Sequence, residues 1–242
     1  MIIDQETCIR CGECVFTCTL DAIYENDDTV DIDREKCVEC GNCLRVAECP
    51  TGALQQDELI WPRIIRKYFS DNQYKWPENM RYTTGYGRGT EECKTNDRTG
   101  KFKYGQIGIV VELGRPNAGT YLYNAEKIIQ TLMEAGAEMG EKSPMTAMIS
   151  DKEKGLLRED IRNERVLSCI VEGKVNIENL ERALNMLKKV SLQIDTVFSL
   201  GLVTRMVNGF ESPIEPVLTK MGIDVRPNSK INLGMGRPLR ED

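Results

Sequence analysis

The chain has 242 residues, enough for one large domain or two modest ones. Its 32 basic and 38 acidic side chains leave a net charge of -6, which argues against a broad nucleic-acid surface. It contains no histidine, so on its own it cannot build a Ser-His-Asp or Cys-His nucleophile, a His-ligated haem, a Rieske centre or an imidazole zinc site.

Charge divides the chain into three segments. Residues 1–58 carry 14 acidic and 4 basic side chains, residues 59–104 carry 5 and 10, and residues 105–242 carry 19 and 18. The acidic head contains an internal repeat. Ile3-Asp4 corresponds to Ile32-Asp33, Cys8, Cys11 and Cys14 to Cys37, Cys40 and Cys43, and Gly12 to Gly41, all at an offset of 29. The offset then grows by two, so Cys18 corresponds to Cys49 and Ala22-Ile23 to Ala53-Leu54. Each half reads as a short strand, a cysteine loop, a helical turn and a second short strand. Two such halves can pair about an approximate twofold axis.

The middle segment, 59–104, reads as an irregular basic and aromatic connector. Pro62 opens a short helix through Ser70, with Ile64, Ile65, Tyr68 and Phe69 on one face. Trp61, Trp76, Tyr68, Phe69 and Tyr74 form an aromatic group, read either as packing between domains or as a docking surface. Beyond it, Gly85-Tyr86-Gly87-Arg88-Gly89-Thr90 matches neither G-x-G-x-x-G nor a P-loop, and with Arg81 and Lys94 it reads as a basic docking segment.

The body, 105–242, shows clear periodicity. A buried strand is expected over 106–113, an amphipathic helix over 121–135, strands over 145–149 and 166–171, and a short helix over 153–161 between them. A second helix over 177–190 is capped by Asn176, and strand 194–203, helix 214–221 and strand 230–233 follow. The fold class is α+β: a small pseudo-twofold head, then a ferredoxin-like or ACT-like βαββαβ plait with extra C-terminal elements. The loop 114–120, with Arg115, joins strand to helix either as an anion site or as an ordinary connection, and Gly236-Arg237-Pro238 repeats its Gly-Arg-Pro. No apolar run approaches the ~18 residues of a membrane span. Residues 1–6 lack the regions of a secretory signal, so a cytoplasmic protein is expected.

Eight of the ten cysteines fall within the first 49 residues, a clustering that points to metal rather than disulfides. Cys8, Cys11, Cys14 and Cys18 form a C-x2-C-x2-C-x3-C run. Three thiolates at this spacing wrap one loop over three corners of an iron–sulfur cube, with backbone N–H groups turned toward the sulfides. Gly12 and Gly41 permit the close approach of backbone to cluster. Zinc bound by four thiolates, or redox thiols, is the alternative. Of the remaining two, Cys169 reads as a buried strand residue and Cys93 as a lone thiol.

On these runs, and on the ending Cys49-Pro50-Thr51-Gly52-Ala53, residues 1–58 resemble the bacterial-type ferredoxin domain that holds two [4Fe–4S] clusters. In that family the fourth cysteine of each run serves the other run's cluster. The resemblance therefore implies cluster I on Cys8, Cys11, Cys14 and Cys49, and cluster II on Cys37, Cys40, Cys43 and Cys18. Two departures stand out. Thr19 occupies the place of a proline, and five residues rather than three separate Cys43 from Cys49, which should lengthen the turn that delivers Cys49. Ile9, Val15, Ile23, Val38, Leu44 and Leu54 are placed to keep water off the cubes, and low potentials are expected among so many carboxylates.

The reading that follows is an iron–sulfur electron-transfer protein, the dicluster ferredoxin subunit of a larger oxygen-sensitive, anaerobic oxidoreductase complex. The body would anchor it to a catalytic oxidoreductase subunit, another redox partner or a second copy of itself. A redox- or ligand-sensing regulator with an ACT-like anion site is the alternative. An iron–sulfur enzyme with substrate between the domains ranks third, since no catalytic constellation stands out.

Overall fold

The computed structural model describes residues 1–77, 102–115, 118–141, 143–208 and 211–225. The expected strand at 230–233, the 85–90 loop, Cys93, and Arg237 with its flanking residues lie outside the described residues.

The head follows its repeat closely. The first half is β1 (Ile2–Ile3), a 3-10 turn (Val15–Thr17) and β2 (Ile23–Glu25). The second is β3 (Val30–Ile32), α1 (Asn42–Val46) and β4 (Leu54–Gln55). Each half lends one strand to the other. β1 pairs antiparallel with β4, setting Ile3 opposite Leu54, and β2 pairs with β3, setting their repeat-mates Ile32 and Ile23 opposite each other. The bonds that close the strands repeat as well: Asp4 N–H donates to the Ala53 carbonyl at 2.8 Å, and Asp33 N–H to the Ala22 carbonyl at 2.7 Å. Met1, Ile3, Ala22, Ile23, Val30, Ile32, Ala53 and Leu54 form a small buried core with cysteine on both sides of it. A core this small leaves much of the head's stability to whatever fills the cysteine loops.

The connector enters the body through α2 (Ile64–Ser70). Its Ile65, Tyr68 and Phe69, with Trp76, join the body's hydrophobic core. Tyr68 and Trp76 stack at 5.0 Å, and Phe69 meets Trp76 edge-on at the same separation. The aromatic group is therefore core packing, and the docking-surface alternative is overturned because Tyr68, Phe69 and Trp76 are buried.

The body is built on β5 (Gln106–Leu113), β6 (Thr120–Tyr121), α3 (Leu122–Glu134), β7 (Glu138–Met139), α4 (Pro144–Ala147), β8 (Ile149–Asp151), β9 (Leu156–Leu157), β10 (Arg165–Val166), β11 (Cys169–Asn176), α5 (Ile177–Val190), β12 (Phe198–Val203) and α6 (Glu215–Lys220). A four-stranded sheet runs β12-β5-β11-β7 with every neighbour antiparallel. Ile107, Ile109, Val111 and Leu113 alternate along β5 into one core with Leu122, Ile128, Ile129 and Leu132 of α3 and Leu180, Leu184 and Leu187 of α5. Each such side chain contributes roughly 1.5–3 kcal/mol on burial. Val110 and Ile170 pack with Phe102 in a second cluster, which is why β5 reads as a continuous apolar run. The ring of Phe102 lies where a Cβ on Gly108 would stand, 2.6 Å from that position.

Several expectations shift. The strand expected over 145–149 is replaced by α4, since Pro144 starts a helix and pairing begins only at Ile149. The helix expected over 153–161 shrinks to a 3-10 turn at Glu159–Ile161 after the β8–β9 hairpin. The strand expected from 194 starts at Phe198. Asn176 stands at the cap position of α5, but its side chain makes no capping bond. Cys169 is buried in β11, as read.

Candidate metal centre

The two cysteine loops share one backbone shape. Arg10 and Glu39 both have φ near 57°, and Gly12 and Gly41 have φ of 76° and 69°. Asp21 and Gly52, equivalent across the longer offset, are also left-handed, at 49° and 70°. Placing non-glycine residues there costs of order 1 kcal/mol each, which this loop spends twice in the same register. Such alternation turns successive N–H groups toward a common concavity and suits an anion.

Around that geometry lie two open hollows. The first is lined by Cys8, Cys11, Cys14 and Cys49 together with Gly12. The second is lined by Cys18, Cys37, Cys40 and Cys43 together with Gly41. The structure thus brings the fourth cysteine of each run to the other run's hollow. The two extra residues before Cys49 are absorbed by turning a 3-10 turn into the α-helical α1, closed by Ala47 N–H to the Cys43 carbonyl at 2.9 Å. Pro50 follows Cys49 on the exposed surface and lines neither hollow.

The donor set fits an iron–sulfur core. Burial pushes the Cys43 thiol up to about 12, with Cys40 and Cys37 adding to the effect. Burial likewise raises Cys14, Cys37 and Cys40. Several low-dielectric thiols gathered around one volume are poised for a cationic core that would hold them ionised. Cys49 sits below the ordinary thiol value because the N–H groups of Leu54, Thr51 and Ala53 are directed at its sulfur. Ala22 N–H donates to the Cys18 sulfur at 3.2 Å. Among the described residues, no group of three or more His, Cys, Asp or Glu closes around a single metal ion. The thiols are spread around two volumes instead.

Of the apolar residues expected to exclude water, Ile23, Val38 and Leu54 are buried. Ile9 and Leu44 are exposed, and Ile9 lines the rim of the first hollow. Arg115 pairs with Glu112 at 3.2 Å, so its guanidinium already has an anion.

The charged residues around the second loop were missed by pattern reading. Arg66, only 3 % exposed, donates through Nη1 to the carbonyls of Arg34 (3.0 Å), Glu35 (3.1 Å) and Cys37 (2.9 Å), while its Nε bonds Glu164 of the body. Arg63 bonds the Arg34 carbonyl at 3.0 Å and the buried Glu39 carboxylate at 2.7 Å. Arg45 reaches back to the Cys40 carbonyl at 2.7 Å and to Asp71 at 3.3 Å. The net positive charge of the connector was the available signal, but it does not say which half the cations meet.

Residues 1–50 match the family model described as a 4Fe-4S dicluster domain. The head is therefore a segment of the ferredoxin type, which supports iron–sulfur binding and an electron-transfer role. No curated protein and no solved structure matches the chain. Among the described residues, no helix is long and apolar enough to cross a membrane.

Proposed function

We propose that the chain is an electron-transfer protein carrying two [4Fe–4S] clusters, one on Cys8, Cys11, Cys14 and Cys49 and the other on Cys37, Cys40, Cys43 and Cys18. The observation that carries this is the exchange of Cys18 and Cys49 between the two hollows. When bound, each cluster takes up and gives back one electron. The chain's own part is to hold eight thiols in two fours, aim N–H groups at sulfur and keep the second site dry. Because the halves interleave, the two sites back onto one small core, and an electron entering one need not leave the head to reach the other.

The body supports a docked rather than a freely diffusing carrier. Its strand order β12-β5-β11-β7, with α3 and α5 in its two crossovers, favours reading it as the ferredoxin-like plait. We assign it the role of anchoring the head to a larger oxidoreductase complex in the cytoplasm. Anaerobic purification should give about eight iron and eight sulfide per chain. Dithionite should then produce the electron-spin signal of two interacting centres, and a catalytic oxidoreductase subunit should co-purify. A colourless protein, or one holding only zinc, would refute the proposal.

A further inference from the structure

The two halves of the head share a backbone but not an environment. Val38 is 2 % exposed and its repeat-mate Ile9 is 61 % exposed. Glu39 is fully buried and ion-paired, whereas Arg10 in the same conformation is exposed and bonds only the Asp27 and Asp28 carbonyls. Arg45 is folded onto Asp71, whereas its mate Phe16 is 92 % exposed. The cause is the basic helix α2 with its N-cap: Arg63 at the cap and Arg66 in the helix occupy the carbonyls of residues 34, 35 and 37. The equivalent carbonyls, those of Gln5, Glu6 and Cys8, accept no hydrogen bond among the described residues. Around them lie the exposed carboxylates of Glu6 and Glu13, and Cys11 is the one exposed thiol of the eight that line the hollows.

We propose that this first-half face, centred on Ile9, Cys11 and Phe16, is the docking surface for a separate redox protein presenting a basic segment, which covers it as α2 covers the second half. This rests on the electron-transfer reading and gives it a direction: the α2 side faces the body, and the first-half site is the port to the outside. Charge complementarity selects the occupant. The face pairs the Glu6 and Glu13 carboxylates and open carbonyls with two exposed apolar side chains, and its one cation, Arg10, is turned onto the Asp27 and Asp28 carbonyls, so it suits Arg or Lys flanking an apolar contact.

Cytochrome c, a basic haem protein, serves as the probe. The anaerobically reduced holoprotein passes one electron to the ferric haem, which becomes ferrous, while the iron–sulfur protein is oxidised by one electron. Wild type is first checked for two reducible centres, because their absence sinks the electron-transfer reading itself. With both present, Glu6→Lys/Glu13→Lys should slow cytochrome c reduction about tenfold at low salt and flatten its salt dependence. The control Glu153→Lys/Glu178→Lys, on the body, should not. Cytochrome c should slow amide exchange over residues 5–16 and leave residues 34–45 unchanged. Equal slowing by the control pair, or no protection at 5–16, overturns the docking face with the clusters intact. Protection of 5–16 in the protein alone that grows with its concentration also overturns it, in favour of a second copy as occupant.

Discussion

Replacing Arg66 by alanine tests how the head is joined to the body. The side chain is 3 % exposed, hydrogen-bonds three backbone carbonyls and the Glu164 carboxylate, and lies 3.8 Å from the exposed Glu35 carboxylate. Removing it leaves Glu164, itself 14 % exposed, without its cation, a loss of about 3–5 kcal/mol for a buried pair. The Arg34 carbonyl keeps Arg63, so two carbonyls, those of Glu35 and Cys37, lose their donor at about 1 kcal/mol each. About 5–7 kcal/mol in total corresponds to a fall of roughly 10–28 °C in Tm for a chain of this size. Lysine keeps the charge but cannot span carbonyls and carboxylate together, so Arg66→Lys should fall between wild type and alanine. Arg158→Ala removes a half-exposed pair with Asp160 and should cost under about 1 kcal/mol. The assay is anaerobic thermal unfolding of the holoprotein by circular dichroism, with iron counted before heating. Should Arg66→Ala melt within a few degrees of wild type, the claim that α2 holds the second loop through this guanidinium is wrong.

Two further outcomes follow from the site and from the body. Cys49→Ser should lower iron from about eight to about four per chain and leave the spin signal of one isolated centre, because Cys49 reaches only the first hollow; retention of all the iron would refute the crossed ligand set. In the body, the Tyr123 phenol is held up to about 12 by burial and by its bond to Asp195. Its folded value lies above the unfolded value of 10, so the stability it contributes is complete below pH 10 and is lost as pH rises toward 12. Asp195→Asn should bring the phenol titration, followed by ultraviolet absorbance, back toward pH 10 and flatten the stability loss between pH 10 and 12; an unmoved titration would show that burial alone sets it.

The elements legible from the sequence were those whose pattern is local. Strand 106–113 and helix 177–190 were read with the bounds the structure gives, because their apolar residues recur at one period throughout. Strand 138–139 was not legible, since two residues carry no period and their pairing with β11 exists only once the sheet forms. The segment 145–149 misled because an apolar run suits helix or strand equally, and Pro144 decided it.

The spacing of the cysteines determined by itself that two equivalent thiol loops would form, each with its fourth cysteine led out of the loop. Spacing is covalent, and a chain of fixed bond lengths can only close around a volume of matching size. What it left undetermined is that the halves are unequal in use. Ile9 and Val38 occupy one loop position twice, and only the packing of a helix from further down the chain buries one and leaves the other in water. A cation such as Arg66 can satisfy either set of carbonyls; the apolar face of its own helix, seated in the body's core through Ile65, Tyr68 and Phe69, chooses which.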